Sequence, residues 1–328
     1  MPLIKGSKVN GYIEVDENVR FMRNLATRYA LPWSQIFFVD GVNGSDTKNT
    51  GRTPDRAFAT IGKAITAAAR GDVIYVRPLN YTVGDGLDRF DRYVEDITVP
   101  LGGAGGSGGV AALKSDISLI GVTPSMNPEL GPRIKHATAI ALQIDAPAFH
   151  VENIGFFAED ATYAIYLRNN GVTYTQRGSD GTTFYNCVIK GSGLYAASGG
   201  DGVVIKKCRF HTKYNGTSGG IGAIRYSCSA NPGNRLQILE NIFHGGNVTE
   251  QPATAYITIL PPMAVGLIKG NTFFKIPADG HYINAEGAGN TGAIVDNFFA
   301  DAEVVLETDL HIGGMVQAGN WDTIGIVI

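Results

Sequence analysis

The chain has 328 residues with 27 Lys and Arg against 30 Asp and Glu, a formal net charge of −3, and 17% charged residues where typical proteins have about 25%. With no run of Lys or Arg it offers no electrostatic footprint to nucleic acid or to an anionic membrane, so neither is an expected partner. Forty-three glycines speak against a helix-rich body, three cysteines do not make a disulfide framework, and no apolar stretch is long enough to span a bilayer as a helix.

The start, Met1-Pro-Leu-Ile-Lys-Gly-Ser-Lys8, lacks the apolar run of a signal peptide, so the expectation is a protein made in the host cytoplasm and kept soluble there at first. Residues 1–34 read differently from the rest. Glu14, Asp16 and Glu17 lead a segment with Phe21, Leu25 and Tyr29 at i, i+4 and i+8, and Pro32 stops it, which predicts an amphipathic helix. Its apolar stripe suits docking on its own body or on another protein, while Arg20, Arg23 and Arg28 keep the other face soluble.

A strand over Ile36–Val39 comes next, followed by the turn-rich Asp40-Gly-Val-Asn43-Gly-Ser-Asp46. That loop looks somewhat like a calcium loop, but its glycine is misplaced and no Glu follows at the twelfth position; a hydrogen-bonded turn is expected, with no metal and no cofactor. Phe58-Ala-Thr60-Ile61 through Ala68 predicts a short helix closed by Gly71, and Val73–Val76 a second strand. The acidic group Asp85, Asp88, Asp91, Glu95 and Asp96 is interleaved with Arg89 and Arg92, as in a solvated loop. Leu101 to Gly109 is glycine-rich and reads as a loop, as do 227–234 and 247–254, and Trp321 to Ile328 reads as a last strand. Its two Gly-x-Ser-x-Gly-like matches, at 105–109 and 216–220, lack the strand-to-helix context that nucleophile chemistry needs.

The last two-thirds of the chain repeat Ile-x-x-(Asn or Cys)-x-Phe. The copies are Phe184-Tyr-Asn-Cys187-Val-Ile189, Ile205-Lys-Lys-Cys208-Arg-Phe210, Ile238-Leu-Glu-Asn241-Ile-Phe243, Ile268-Lys-Gly-Asn271-Thr-Phe273 and Ile294-Val-Asp-Asn297-Phe-Phe299, with a looser one at Val151-Glu-Asn153-Ile-Gly-Phe156. From Cys187 the polar positions advance by 21, 33, 30 and 26 residues (187 to 208, 241, 271 and 297), a variability that a helical repeat does not tolerate and a coil of short strands does. The polar position stands where the chain turns a corner and φ > 0 is useful, and stacked Asn side chains can bond to one another. An internal ladder of Asn241, Asn271 and Asn297, continued by Cys187 and Cys208 as buried reduced thiols, is expected.

The segment from residue 36 to 81 resembles the opening of pectin-lyase-like right-handed parallel β-helix proteins, in which Val39-Asp-Gly-x-Asn-Gly-Ser-Asp46, Phe58-Ala-Thr-Ile61 and Gly71-Asp-Val-Ile-Tyr-Val76 recur in this order. The resemblance implies a helix that caps the first rung and hides an open sheet edge. It is poor for function, since the family holds polysaccharide lyases, glycoside hydrolases, isomerases and phage tailspike and capsid-associated proteins. None of the family's catalytic signatures carries over; only Arg133-Ile134-Lys135 matches a piece of one, upstream of its place.

Seven residues before the ladder positions stand Asp180, Asp201, Asn234, Ala264 and Asn290. If the register holds, Asp180 and Asp201 lie one rung apart, at about 5 Å, which suits the paired carboxylates of a retaining glycosidase or simply a turn that begins the same way on each rung. Tyr166, Arg168, Tyr174, Arg177, Tyr195 and Arg225 are the residues expected to give sugar-stacking faces and anion clamps. The expectation is therefore an arm, 1–34, and an all-β parallel β-helix, 35–328, serving as a bacteriophage virion protein of tailspike or capsid-decoration type. It would be a homotrimer, joined to other virion proteins through the arm and able to bind glycan. The alternative is a polysaccharide lyase or glycoside hydrolase with Asp180 and Asp201 as its catalytic pair.

Overall fold

The computed structural model describes residues 34–79, 91–100, 114–122, 130–158, 163–168, 179–197, 200–212, 222–227, 235–245, 255–260, 266–274, 281–285, 289–300 and 314–321, and the backbone of 8–9, 12–13, 81–82, 89–90, 233–234, 263–264, 310–311 and 322. The expected arm helix, Tyr174, Arg177, the glycine-rich stretch and residues 323–328 lie outside them.

Three long parallel sheets of ten, nine and eight strands (sheets I, II and III) carry almost all of the order. The chain visits them in turn, so that each circuit makes one rung. Thr183–Tyr185 joins sheet I, Val188–Gly191 sheet II and Leu194–Ala197 sheet III, before Val204–Lys206 starts the next circuit on sheet I. Strands one circuit apart pair in parallel, Thr183 with Val204, Val188 with Arg209 and Leu194 with Ile224. The chain is a parallel β-helix, with the right-handed sense that such crossovers take.

The sequence dictates this because each strand puts one apolar column inward. Phe184, Ile205, Ile238, Ile268 and Ile294 stack on sheet I, and Phe210, Phe243, Phe273 and Phe299 on sheet II, all 1% exposed or less. The phenyl rings pack face to face at 4.9, 4.7 and 5.1 Å. Each such side chain contributes about 1.5–3 kcal/mol of apolar burial.

Between these columns runs the ladder. Asn271 Nδ2 donates to Asn297 Oδ1 at 2.9 Å and to the Ile238 carbonyl at 2.9 Å, while Asn271 Oδ1 accepts from Asn241 Nδ2 at 3.0 Å and from the Asn241 amide at 2.9 Å. Cys187 and Cys208 occupy the column upstream as buried free thiols, and the Cys208 amide donates to Asn241 Oδ1 at 2.8 Å. Asn320 extends it by one rung, accepting from Asn297 Nδ2 at 3.0 Å, although its motif ends in Trp321 and Asp322 rather than Phe.

Two details differ from the sequence reading. The residue with φ > 0 is the one before the ladder position, namely Lys207, Glu240, Gly270, Asp296 and Gly319 at +56°, +55°, +67°, +55° and +64°. Asn153 belongs to that preceding column, since its φ is +57° and its Oδ1 accepts from Asn186 Nδ2 at 2.7 Å; Ile154 stands at its rung's ladder position. The stretch read as a loop over 227–234 also holds Gly233–Asn234, which pair in parallel with Met263–Ala264.

At the N-terminal end Ile36–Val39 is the edge strand of sheet I. Its outer side is occupied: the Phe38 amide donates to Gly51 O at 2.8 Å, and Phe58 N donates to Phe38 O at 2.9 Å. The helix Ile61–Ala67 covers the end of the core with Ile61, Ala64 and Ile65. It ends earlier than the Gly71 stop predicted: Ala68 is already extended at φ −67° and ψ +146°, and Lys114 Nζ donates to the carbonyls of Thr66 and Ala68; Gly71, at φ +83°, serves the turn into Val73–Val76 instead.

Candidate functional site

Sheet III positions the first group of residues. Its strands Tyr163–Arg168, Leu194–Ala197 and Ile224–Ser227 lie side by side, and register puts Gln143, Tyr166, Tyr195 and Arg225 in one outward column along the coil axis. Gly193 permits this closeness, because a Cβ there would stand 2.0 Å from the Ala223 carbonyl oxygen. Tyr163 joins the column from one side. Ala164 and Ile165 are both buried, which breaks the two-residue alternation and brings Tyr163 and Tyr166, three apart, to the same face.

The three rings stack on one another, with centroids at 4.7 Å for Tyr163 and Tyr195, 5.6 Å for Tyr166 and Tyr195, and 5.7 Å for Tyr163 and Tyr166. A ring stacked on its neighbour has one face covered, so the trio offers a sugar its phenol hydroxyls and ring edges as well as its remaining faces. Burial, then the neighbouring Tyr195, raises the pKa of both Tyr163 and Tyr166, so the hydroxyls stay protonated donors. Arg225 places its guanidinium carbon 5.6 Å from the Tyr195 centroid. Arg168 Nε is 3.7 Å from Asp145 Oδ1, while Asp145 accepts from Gln143 Nε2 at 3.2 and 3.0 Å. Burial raises the Asp145 pKa, and the Gln143 bonds and Arg168 charge offset this only in part.

Asp180 and Asp201 stand elsewhere, at the corner that leads into sheet I, on consecutive rungs. Asp201 N donates to Asp180 Oδ1 at 2.8 Å, and Gly181 N to Asp201 O at 2.7 Å. Each Asp precedes a left-handed glycine, Gly181 at φ +67° and Gly202 at +71°, which is the geometry of a recurring turn. On the next rung Arg235 takes that place at +61° and reaches back: its Nε and Nη2 donate to the two oxygens of Asp201 at 3.2 and 2.8 Å, a pairing that raises the Arg235 pKa. Asp180, Asp201, Arg235, Gln237, Pro147 and the two glycines line an open groove of about 480 Å³.

Sequence reasoning missed Tyr163, Asp145, Gln143 and Arg235. Arg235 had a signal, since it follows Asn234 as Gly181 and Gly202 follow Asp180 and Asp201. Tyr163 had none, because strict alternation places it on the opposite face from Tyr166. Among the described residues no group of three or more His, Cys, Asp or Glu is placed to hold a metal ion.

No protein-family model matches the chain, and no curated protein matches it by sequence. Two solved structures are similar to it. One is a rhamnogalacturonan lyase, with 14% identity and a TM-score of 0.44 over 88% of this chain and 74% of that one. The other is the tailspike protein gp49 of Acinetobacter baumannii bacteriophage Fri1, a capsular polysaccharide depolymerase, with 9% identity and a TM-score of 0.40 over 77% of this chain and 50% of that one.

Proposed function

We propose that this chain is a phage virion β-helix protein of the tailspike kind that recognises a glycan on the outer face of sheet III, works as a homotrimer, and attaches to the particle through residues 1–34. The observation that carries recognition is the partly exposed cluster of Tyr163, Tyr166 and Tyr195 between Arg168 and Arg225. Rigid phenols that combine a ring with a hydroxyl suit a ligand that is apolar on its ring faces and polar at every edge. The virion placement draws on the resemblance of residues 36–81 to the family described above and on an arm set apart from the coil in sequence. The test is saturable retention of the purified protein on immobilised capsular and cell-wall polysaccharides. Tyr166→Ala and Tyr195→Ala should each weaken it about tenfold; retention untouched by both rejects this face.

The groove at the next corner favours a second reading, cleavage of the bound polysaccharide by Asp180 and Asp201. In that reading Arg235 must release at least one oxygen of Asp201 before it can act as acid or nucleophile. Asp180→Asn and Asp201→Asn should then abolish product while binding persists. Product formed by both variants removes these residues from the chemistry.

A further inference from the structure

Among the described residues, the outer face of sheet III holds a cation without a counter-ion. Both Arg168 and Arg225 bury an Nε–H with no hydrogen-bond acceptor among the described residues, but Arg168 has Asp145 Oδ1 at 3.7 Å, whereas Arg225 has no carboxylate within ion-pair distance among the described residues. A buried donor left unmade costs about 1–3 kcal/mol, more when the group is charged, and the Tyr195 ring at 5.6 Å repays that only in part. Such a guanidinium is poised for a planar two-oxygen anion, which its donor fork matches in geometry.

Register fixes where that anion would lie. Arg225 sits one rung beyond Tyr195 and two beyond Tyr166, and one rung is about 4.8 Å, close to the advance of one sugar along an extended chain. Thr258 follows Arg225 on the next rung of the same column. We infer that the glycan taken by sheet III is acidic, that it runs along the coil axis, and that Arg225 binds the carboxylate of a sugar one unit away from the sugar that meets the tyrosines. This rests on the glycan-recognition reading above. Arg225 is then the specificity-determining residue, and Arg168, already matched by Asp145, is not.

The experiment uses matched polymers: alginate, hyaluronan and polysialic acid, the same three after reduction of their carboxyls to hydroxymethyl groups, and neutral dextran. Binding to the full chain is followed by thermophoresis. At least one acidic polymer should bind at least about tenfold more tightly than its reduced form. Arg225→Gln should remove the difference between the acidic polymer and its reduced form, and Arg225→Lys should restore part of it. Arg168→Gln should leave the ratio of acidic to reduced polymer where it was. Equal affinity for acidic and reduced polymers, or a ratio that survives Arg225→Gln, overturns the acidic-glycan inference and leaves glycan recognition standing. A neutral polymer bound best does the same. Binding of none of the seven polymers overturns both readings together.

Discussion

Asn271 shows how the coil makes a polar interior tolerable. It is completely buried, yet both its amide hydrogens and both lone pairs of its oxygen are used. Substitution of a residue in the middle of the ladder therefore breaks bonds on two rungs. Asn271→Leu should destabilise by about 3 kcal/mol or more, since the amide and the Nδ2 of Asn241 lose their acceptor in a fully buried site. Asn271→Asp should be worse at neutral pH, because a carboxylate cannot donate to the Ile238 carbonyl and is itself desolvated. Chemical denaturation of both variants checks the order, and a Leu variant within experimental error of wild type would show that the ladder is decoration. Cys187 and Cys208 stand at the same position with weaker donors; burial, and then the neighbouring Cys208 thiol, push the Cys187 thiol well up and keep it protonated.

The capping helix is the element whose survival depends on a distant side chain. Seven residues are too few for a helix to be stable alone, and here the amides of Ile61 and Gly62 donate to the two oxygens of Glu95 at 3.0 and 2.8 Å. Burial raises the Glu95 pKa above its ordinary value of 4.5, and the two amide bonds offset only part of that rise. A carboxyl whose folded-state pKa lies above the unfolded one gives stability that is full below the unfolded value and is lost as pH rises through the folded one. Glu95→Gln, which keeps one acceptor and cannot ionise, should flatten the stability profile from about pH 4.5 upward and cost less than about 1 kcal/mol at pH 7. Glu95→Ala, which cannot ionise either, should flatten the profile in the same way and, with both amides bare, should lie about 1 kcal/mol below Glu95→Gln at every pH. Melting curves taken across that range separate the two. Helix and edge strand were legible because Phe58, Ile61, Ala64 and Ile65 keep helical spacing after a strand and a turn. Glu95 was not: it lies 34 residues from Ile61, inside what reads locally as a solvated acidic loop, and only the closing of a rung brings it to the helix. The same holds for the site. Tyr166, Tyr195 and Arg225 were visible as residue types suited to sugar, but their stacking depends on a break in strand alternation and on steps of 29 and 30 residues that no local pattern encodes.

At the scale of the molecule each rung touches only its neighbours, so stability is a sum of local terms and the two ends decide whether the stack frays. At the N-terminal end Gly51 and Phe58 occupy the outer side of the edge strand, and Ile61–Ala67 covers the core beneath it. Residues 1–34 contribute none of these bonds. A chain that begins at Gln35 should therefore keep its fold, with a melting temperature within about 2 °C of the full chain, equivalent to less than about 1 kcal/mol. Phe58→Ala in the full chain should lower stability by about 3–5 kcal/mol, because it opens a cavity against Phe37, whose ring centroid is 6.0 Å away, and removes cover from the edge. If the arm is the attachment segment, the shortened chain, still folded and still able to bind glycan, should be missing from purified particles assembled in its presence. Shortened chains found in those particles at the wild-type level would place attachment on the coil itself. A shortened chain that unfolds would mean that the loop and helix which cover the edge strand and the core do not suffice without the arm.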